Sequence, residues 1–293
     1  MLSFAVLVIT VSVIFQILAS LFDLKTGEIP EGVNYGYVFL VLAISAVDAF
    51  SSADASLLID TIIMGAAFFA VGFMLFYLGQ WGGGDVKLMA GIGGSMGYLA
   101  HVGSIPQAAV FPFYVTYFVN MGFIAFPYVL IYGLILGIGN KRTGKEFLAC
   151  FGNRKIQAFL VLSLTPSIAA VVFNLYQIAV LYLLIPPLVI AALYLKAVEK
   201  TALQDEVAVS ELREGDVVAQ DLYAGTEKIA SRRDIEGFSS EDLAKVKKLA
   251  EEQKIPGKIM IKRGIKFAPV LFLSYVTVIF IGNFMEMAFR AFA

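Results

Sequence analysis

The sequence predicts an all-α polytopic membrane protein of about eight transmembrane helices, with a small cytoplasmic α/β domain inserted before the last helix. Three observations carry that expectation. Of 293 residues, 59% are hydrophobic and only 15% charged, where soluble chains sit nearer half and a quarter; mean hydropathy is +0.82. Charge is also partitioned, since residues 199–266 hold 14 acidic and 13 basic side chains of the 22 basic and 23 acidic in the whole chain. Elsewhere, apolar stretches recur at the roughly 20 residues a spanning helix needs.

Taken in order, Leu2 to Phe22 carries no charge. It lacks both the basic start and the short apolar core of a cleaved secretory signal, so it reads as a retained first helix. Val33 to Phe50 and Leu57 to Leu78 follow, then Asp85 to Ala100, short and glycine-rich. Between Ile105 and Gly139 there is room for one span, taken as Tyr117 to Gly139, with Pro106 and Pro112 in a loop or partial helix before it. Ile156 to Val198 is long enough for two spans with a tight turn near Asn174, and Phe267 to Phe289 is the last. The domains expected are a membrane helical catalytic domain over 1–198, a soluble domain over 199–266 and the final helix over 267–293.

Flanking charge orients these spans. Lys141, Arg142, Lys145, Arg154 and Lys155 stand against Glu146 in one short loop, which the positive-inside rule places in the cytoplasm. Counting spans from there puts the loop at 48–56 and the region of His101 outside, and the charged domain inside. Within that domain, valines on either side of Glu214-Gly215-Asp216 give a hairpin-like signal. Ser239 or Ser240 before Glu241 and Asp242 reads as the cap of a helix reaching about Lys254. Lys258 to Phe267 alternates as a strand.

Composition narrows the chemistry. A net charge of −1 implies no basic surface, so no nucleic-acid partner is expected. A single cysteine, Cys150, excludes an internal disulfide and a cysteine-rich metal site, and His101 is the sole histidine. Ionisable residues at membrane depth are costly and mark function by default. Asp23 directly follows the first span and Asp85 opens the fourth, so an in-and-out topology brings both to one membrane edge. Paired carboxyls suit aspartic hydrolysis: the ionised one takes a proton from water while the protonated one hydrogen-bonds the scissile carbonyl.

Asp85 stands in Gly82-Gly83-Gly84-Asp85-Val86-Lys87, and Asp23 in Asp23-Leu24-Lys25-Thr26-Gly27-Glu28-Ile29-Pro30. The glycine run lacks the Gly-Lys-Ser/Thr ending of a P-loop and has no preceding strand for a dinucleotide fold. Asp-x-Lys-x-x-x-Ile-Pro after the first span, with Gly-x-Gly-Asp-x-Lys at the fourth, resembles the type IV prepilin peptidase family. The spacing of the two elements extends the likeness over about residues 1–140. The resemblance implies a membrane aspartic endopeptidase with Asp23 and Asp85 as its catalytic pair and no metal or cofactor. Gly82, Gly84, Lys25, Lys87, Glu28 and Pro30 are expected in supporting or substrate-binding roles. Its substrates would be precursors of archaellins or type IV pilin-like proteins, relieved of a short basic cytoplasmic leader. Acidic Glu28 and Glu31 would attract that leader, and Lys25 and Lys87 would contact substrate or the carboxyls. The paired Cys-x-x-Cys of bacterial methylating relatives is missing, so methyl transfer is not expected. The soluble domain and the run Arg263-Gly264-Ile265-Lys266-Phe267-Ala268-Pro269 are similar to the archaeal preflagellin (prearchaellin) branch. The expected location is the plasma membrane, multi-pass, with active site and soluble domain cytoplasmic.

Two rivals remain open at this point. A presenilin-like or signal-peptide-peptidase-like intramembrane protease would have Tyr-Asp and a late Pro-Ala-Leu, where this chain has Phe22-Asp23 and no such element. A proton-coupled transporter would show repeated halves with broken midplane helices, and no internal repeat is found. Asp48, Asp54 and Asp60 read as outer-side acids, with Asp60 a helix cap, and His101 as an outward loop residue. Gly93 with Gly97, and Gly133 with Gly137, read as small-residue packing pairs. Trp81, Tyr77 and Tyr35 read as an aromatic belt; Glu286 and Arg290 read as interface residues.

Overall fold

The computed structural model describes residues 3–105, 111–232, 234 and 237–287. In chain order the helices are α1 (Phe4–Thr26), α2 (Glu31–Ser52), α3 (Ser56–Tyr77), α4 (Gly83–His101), α5 (Phe113–Gly137) and α6 (Lys141–Phe151). They continue as α7 (Arg154–Leu162), α8 (Thr165–Val172), α9 (Tyr176–Leu183), α10 (Ile185–Thr201), α11 (Ser240–Glu251) and α12 (Ala268–Phe280). Five strands lie between α10 and α12: β1 (Gln204–Ala208), β2 (Val217–Val218), β3 (Leu222–Ala224), β4 (Glu227–Ala230) and β5 (Lys258–Lys262).

Among the described residues, six stretches are long and apolar enough to cross a membrane: α1, α2, α3, α5, residues 154–172 and residues 178–201. The protein is thus a multi-pass membrane protein, while eight spans are more than this count supports. The two spans that fall short do so for visible reasons. Glycines, Ser95, Asp85 and Lys87 dilute the hydropathy of α4. The last helix stops at Phe280, where Gly282 takes a φ of +89°, instead of running on to residue 289. Pro106 and Arg290 lie outside the described residues.

The chain divides into two compact units, residues 1–128 with 264–293, and residues 129–263. In the first, α4 is the buried centre: Leu88, Met89, Ile92, Met96 and Leu99 are fully enclosed. Small residues make that possible. A Cβ on Gly93 would strike the Met64 carbonyl and Phe68, and one on Gly97 would strike the Asp60 carbonyl and Met64. In return, Gly65 of α3 lies against the backbone of Ala90 and Gly94, and Gly72 against Val86. Backbones this close give α4 packing that its modest hydropathy does not supply.

In the second unit, the chain turns between α8 and α9 at Asn174, whose φ is +57°, close to the expected position. Ser167 of α8 donates to the Ala179 carbonyl of α9 at 2.9 Å. The pair Gly133 and Gly137 also packs closely, Gly133 against Leu195 and Gly137 against Tyr194 of α10.

The strands correct one expectation. β1 and β2 do not form a hairpin with each other. Both pair antiparallel with β5, in the order β1-β5-β2, so that Lys262 lies opposite Gln204 on one side and Val217 on the other. The segment around Glu214 to Asp216 is a loop instead, pinned by Gly215 N–H to the Phe238 carbonyl at 2.9 Å. The true hairpin is β3–β4, turning through Gly225 at φ +62°. Ser239 caps α11 as expected: Asp242 N–H donates to the Ser239 hydroxyl and Ser239 N–H donates back to the Asp242 carboxylate. The Ser239 hydroxyl and N–H hold the Asp242 carboxyl below its ordinary value.

Candidate active site

Asp23 lies inside α1, not after it. Four residues past the apolar run remain helical because Gly27, at φ +77°, closes the helix with its N–H on the Asp23 carbonyl at 2.8 Å. Asp23 is only 7% exposed. It shares one face of α1 with buried Ser12, Gln16 and Ser20, a polar stripe at helical spacing. Its carboxylate accepts the Ala268 N–H at 3.0 Å, so it occupies the amino terminus of α12, where free N–H groups attract anions. Lys266 straps the same corner by donating to the Leu24 carbonyl at 2.7 Å.

Asp85 is the third residue of α4, the position where a carboxylate reaches back to the cap. It accepts the Gly82 N–H at 3.2 Å. The two carboxyls are within electrostatic reach of each other. Thus α1, α4 and the start of α12 gather two acids, and the donors on them are mostly backbone amides.

The glycines before Asp85 have distinct surroundings. A Cβ on Gly84 would meet Ile29 at 3.2 Å, whereas Gly83 faces open space. Lys87 does not point at either aspartate; it pairs with Glu31 at 2.5 Å and lies 5.2 Å from the centre of the Tyr35 ring. Pro30 precedes α2 as its cap residue with φ −57°. Lys25, in the last turn of α1, and Glu28, on the α1–α2 connection, are both exposed.

Three residues at this site escaped the motif reading. Asn34 is fully buried and donates to the Gly84 carbonyl at 3.2 Å. Tyr117 of α5 is buried within electrostatic reach of Asp85, its hydroxyl 3.3 Å from the Leu271 carbonyl. Trp81 is buried with its ring 5.6 Å from that of Phe267, so it is a packing residue of this corner rather than part of a belt. A polar residue in an apolar span is itself a signal, and Asn34 carries it. Nothing local marks Tyr117.

The opposite end of α4 holds a second acidic group. His101 is the last residue of α4, not a loop residue, and bridges Asp60 at 2.7 Å and Asp54 at 3.1 Å. Asp60 lies within α3 and does not cap it; Asp54, two residues before the helix, accepts the Ser56 N–H at 3.0 Å. That bond, with His101, holds the Asp54 carboxyl below its ordinary value. Nearby, Tyr98 donates to Asp48 at 2.5 Å.

Residues 10–139 match the type IV leader peptidase family. The chain is 24% identical to a prepilin peptidase EppA of Methanothermobacter thermautotrophicus, over 94% of both chains. It is 22% identical to the EppA of Methanocaldococcus jannaschii, over 92% of this chain and 95% of that one. A preflagellin peptidase of Methanococcus maripaludis is 31% identical over 48% of this chain and 64% of its own. No solved structure matches the chain.

Proposed function

As the chain is a type IV leader peptidase, we propose that Asp23 and Asp85 are its catalytic pair. Their convergence from α1 and α4 is the observation that supports this reading most directly. In the reaction, one carboxylate removes a proton from water as the oxygen attacks the scissile carbonyl. The other, protonated, donates a hydrogen bond to the carbonyl oxygen as it gains charge. Collapse of the tetrahedral intermediate breaks the C–N bond, and the leaving nitrogen takes a proton from the pair.

The substrates are precursors of archaellins or type IV pilin-like proteins, cut between a short basic leader and a hydrophobic helix. The names of the relatives support that substrate class. The membrane orientation has eight spans, with α4 and α12 completing the six apolar ones, and puts the catalytic edge in the cytoplasm. The basic loop at 140–156 supports this. Residues 199–266 form the soluble cytoplasmic domain. Gly82 lets substrate approach the Asp85 turn, Gly84 supports that turn by admitting Ile29 against it, and exposed Lys25, Glu28 and Pro30 border the approach. Lys87, paired with Glu31, stiffens the turn rather than holding the leader.

The test is co-expression with a precursor, comparing the wild type with Asp23→Asn and Asp85→Asn. Processing by either variant at the wild-type rate sinks the two-carboxylate mechanism. Cysteine labelling of 199–266 from the outside of intact cells sinks the orientation.

A further inference from the structure

The turn carrying Asp85 is tied to the first turn of α2. Asn34 sits there with no solvent exposure, and its Nδ2 donates to the Gly84 carbonyl, one residue before Asp85. On either side of that bond, Ile29 packs on Gly84 and Glu31 pairs with Lys87. Asp85 therefore projects from a backbone gripped on both flanks, and its carboxylate is tied back to the same turn through Gly82 N–H.

The other half of the amide is the informative part. The Asn34 Oδ1 is buried and has no hydrogen-bond partner among the described residues. A buried acceptor left unmet is unfavourable, and an apolar side chain of the same shape avoids that penalty. Leucine is such a shape. Stability alone therefore does not favour asparagine at position 34, and its single made bond is directed at the turn bearing Asp85.

We propose that Asn34 is a positioning residue of the peptidase, setting the Asp85 carboxyl by holding the Gly84 carbonyl. This rests on Asp85 being catalytic. Asn34 touches neither the reacting atoms nor the leader; it acts through Gly84. Displacement of a catalytic group by about an ångström costs on the order of 100-fold in rate.

The experiment uses the full chain in lipid nanodiscs and a precursor with a basic leader ahead of an apolar helix. Asn34→Leu is expected to lower kcat roughly 10- to 100-fold while KM stays within about twofold, with the thermal midpoint unchanged or raised. A wild-type kcat in that variant overturns the proposal. So does a rise in KM alone, which would make Asn34 a substrate contact. A fall in thermal midpoint accompanying the lost activity overturns it too, by making the amide structural. Asp85→Asn runs alongside: if it remains active the catalytic reading itself has failed, whereas an inert Asp85→Asn beside a normal Asn34→Leu removes only the role given to Asn34.

Discussion

The two ends of α4 each present two carboxylates, roughly 24 Å apart along the helix from Asp85 to His101. At the carboxy-terminal end, His101 joins Asp54 and Asp60 directly, and all three side chains are partly open to solvent. At the amino-terminal end, among the described residues, no side-chain cation hydrogen-bonds either aspartate. Asp23 takes a backbone N–H of α12, Asp85 takes one of its own turn, and Lys266 and Lys87 donate to Leu24 and Glu31. The difference teaches what separates a clasp from the pair proposed as catalytic. Acids neutralised by a shared histidine stitch helix ends together. The pair proposed as catalytic is held instead by backbone N–H groups of Ala268 and Gly82.

The largest expected effect bears directly on that contrast. Asp23→Asn and Asp85→Asn should each lower precursor cleavage by roughly 10²- to 10⁴-fold with unchanged expression and melting, whereas Asp60→Asn should leave kcat/KM within about twofold. An inactive Asp60→Asn that still folds would erase the distinction. Next, the packing that spaces the two ends should fail where backbones touch. Gly93→Leu forces a side chain into the Met64 carbonyl and Phe68 and should cost about 1–3 kcal/mol or more, read as a lower thermal midpoint in detergent. Gly83→Ala faces open space and should melt like the wild type.

A smaller effect belongs to the clasp itself: His101→Ala should reduce melting modestly and leave cleavage intact. The smallest lies in the strand-containing region. Asp242 has a depressed folded-state pKa, because Ser239 donates to its charged form. Its contribution is therefore present above the ordinary carboxyl value of 3.8 and lost as pH falls through the lower folded value. The exchange protection factor of the first turn of α11, corrected for the intrinsic rate at each pH, should fall through that acidic window in the wild type and stay level in Asp242→Asn.

The sequence alone determined the membrane class, the charge-dense region at 199–266, the caps at Ser239 and the turn near Asn174, and the two aspartate motifs. Each rests on local pattern: apolar length, side-chain hydrogen bonds within a few residues, glycine runs beside acids. Length and hydropathy support six spans where the sequence suggests about eight, and hydropathy does not reveal that α4 is buried by backbone contact at Gly93 and Gly97. Tertiary structure decided the rest. That β5 serves both β1 and β2, that Ala268 holds Asp23 from 245 residues away, and that His101 ties Asp54 to Asp60 are long-range pairings. Periodicity and propensity describe neighbours along the chain, and these partners become neighbours only once the helices pack.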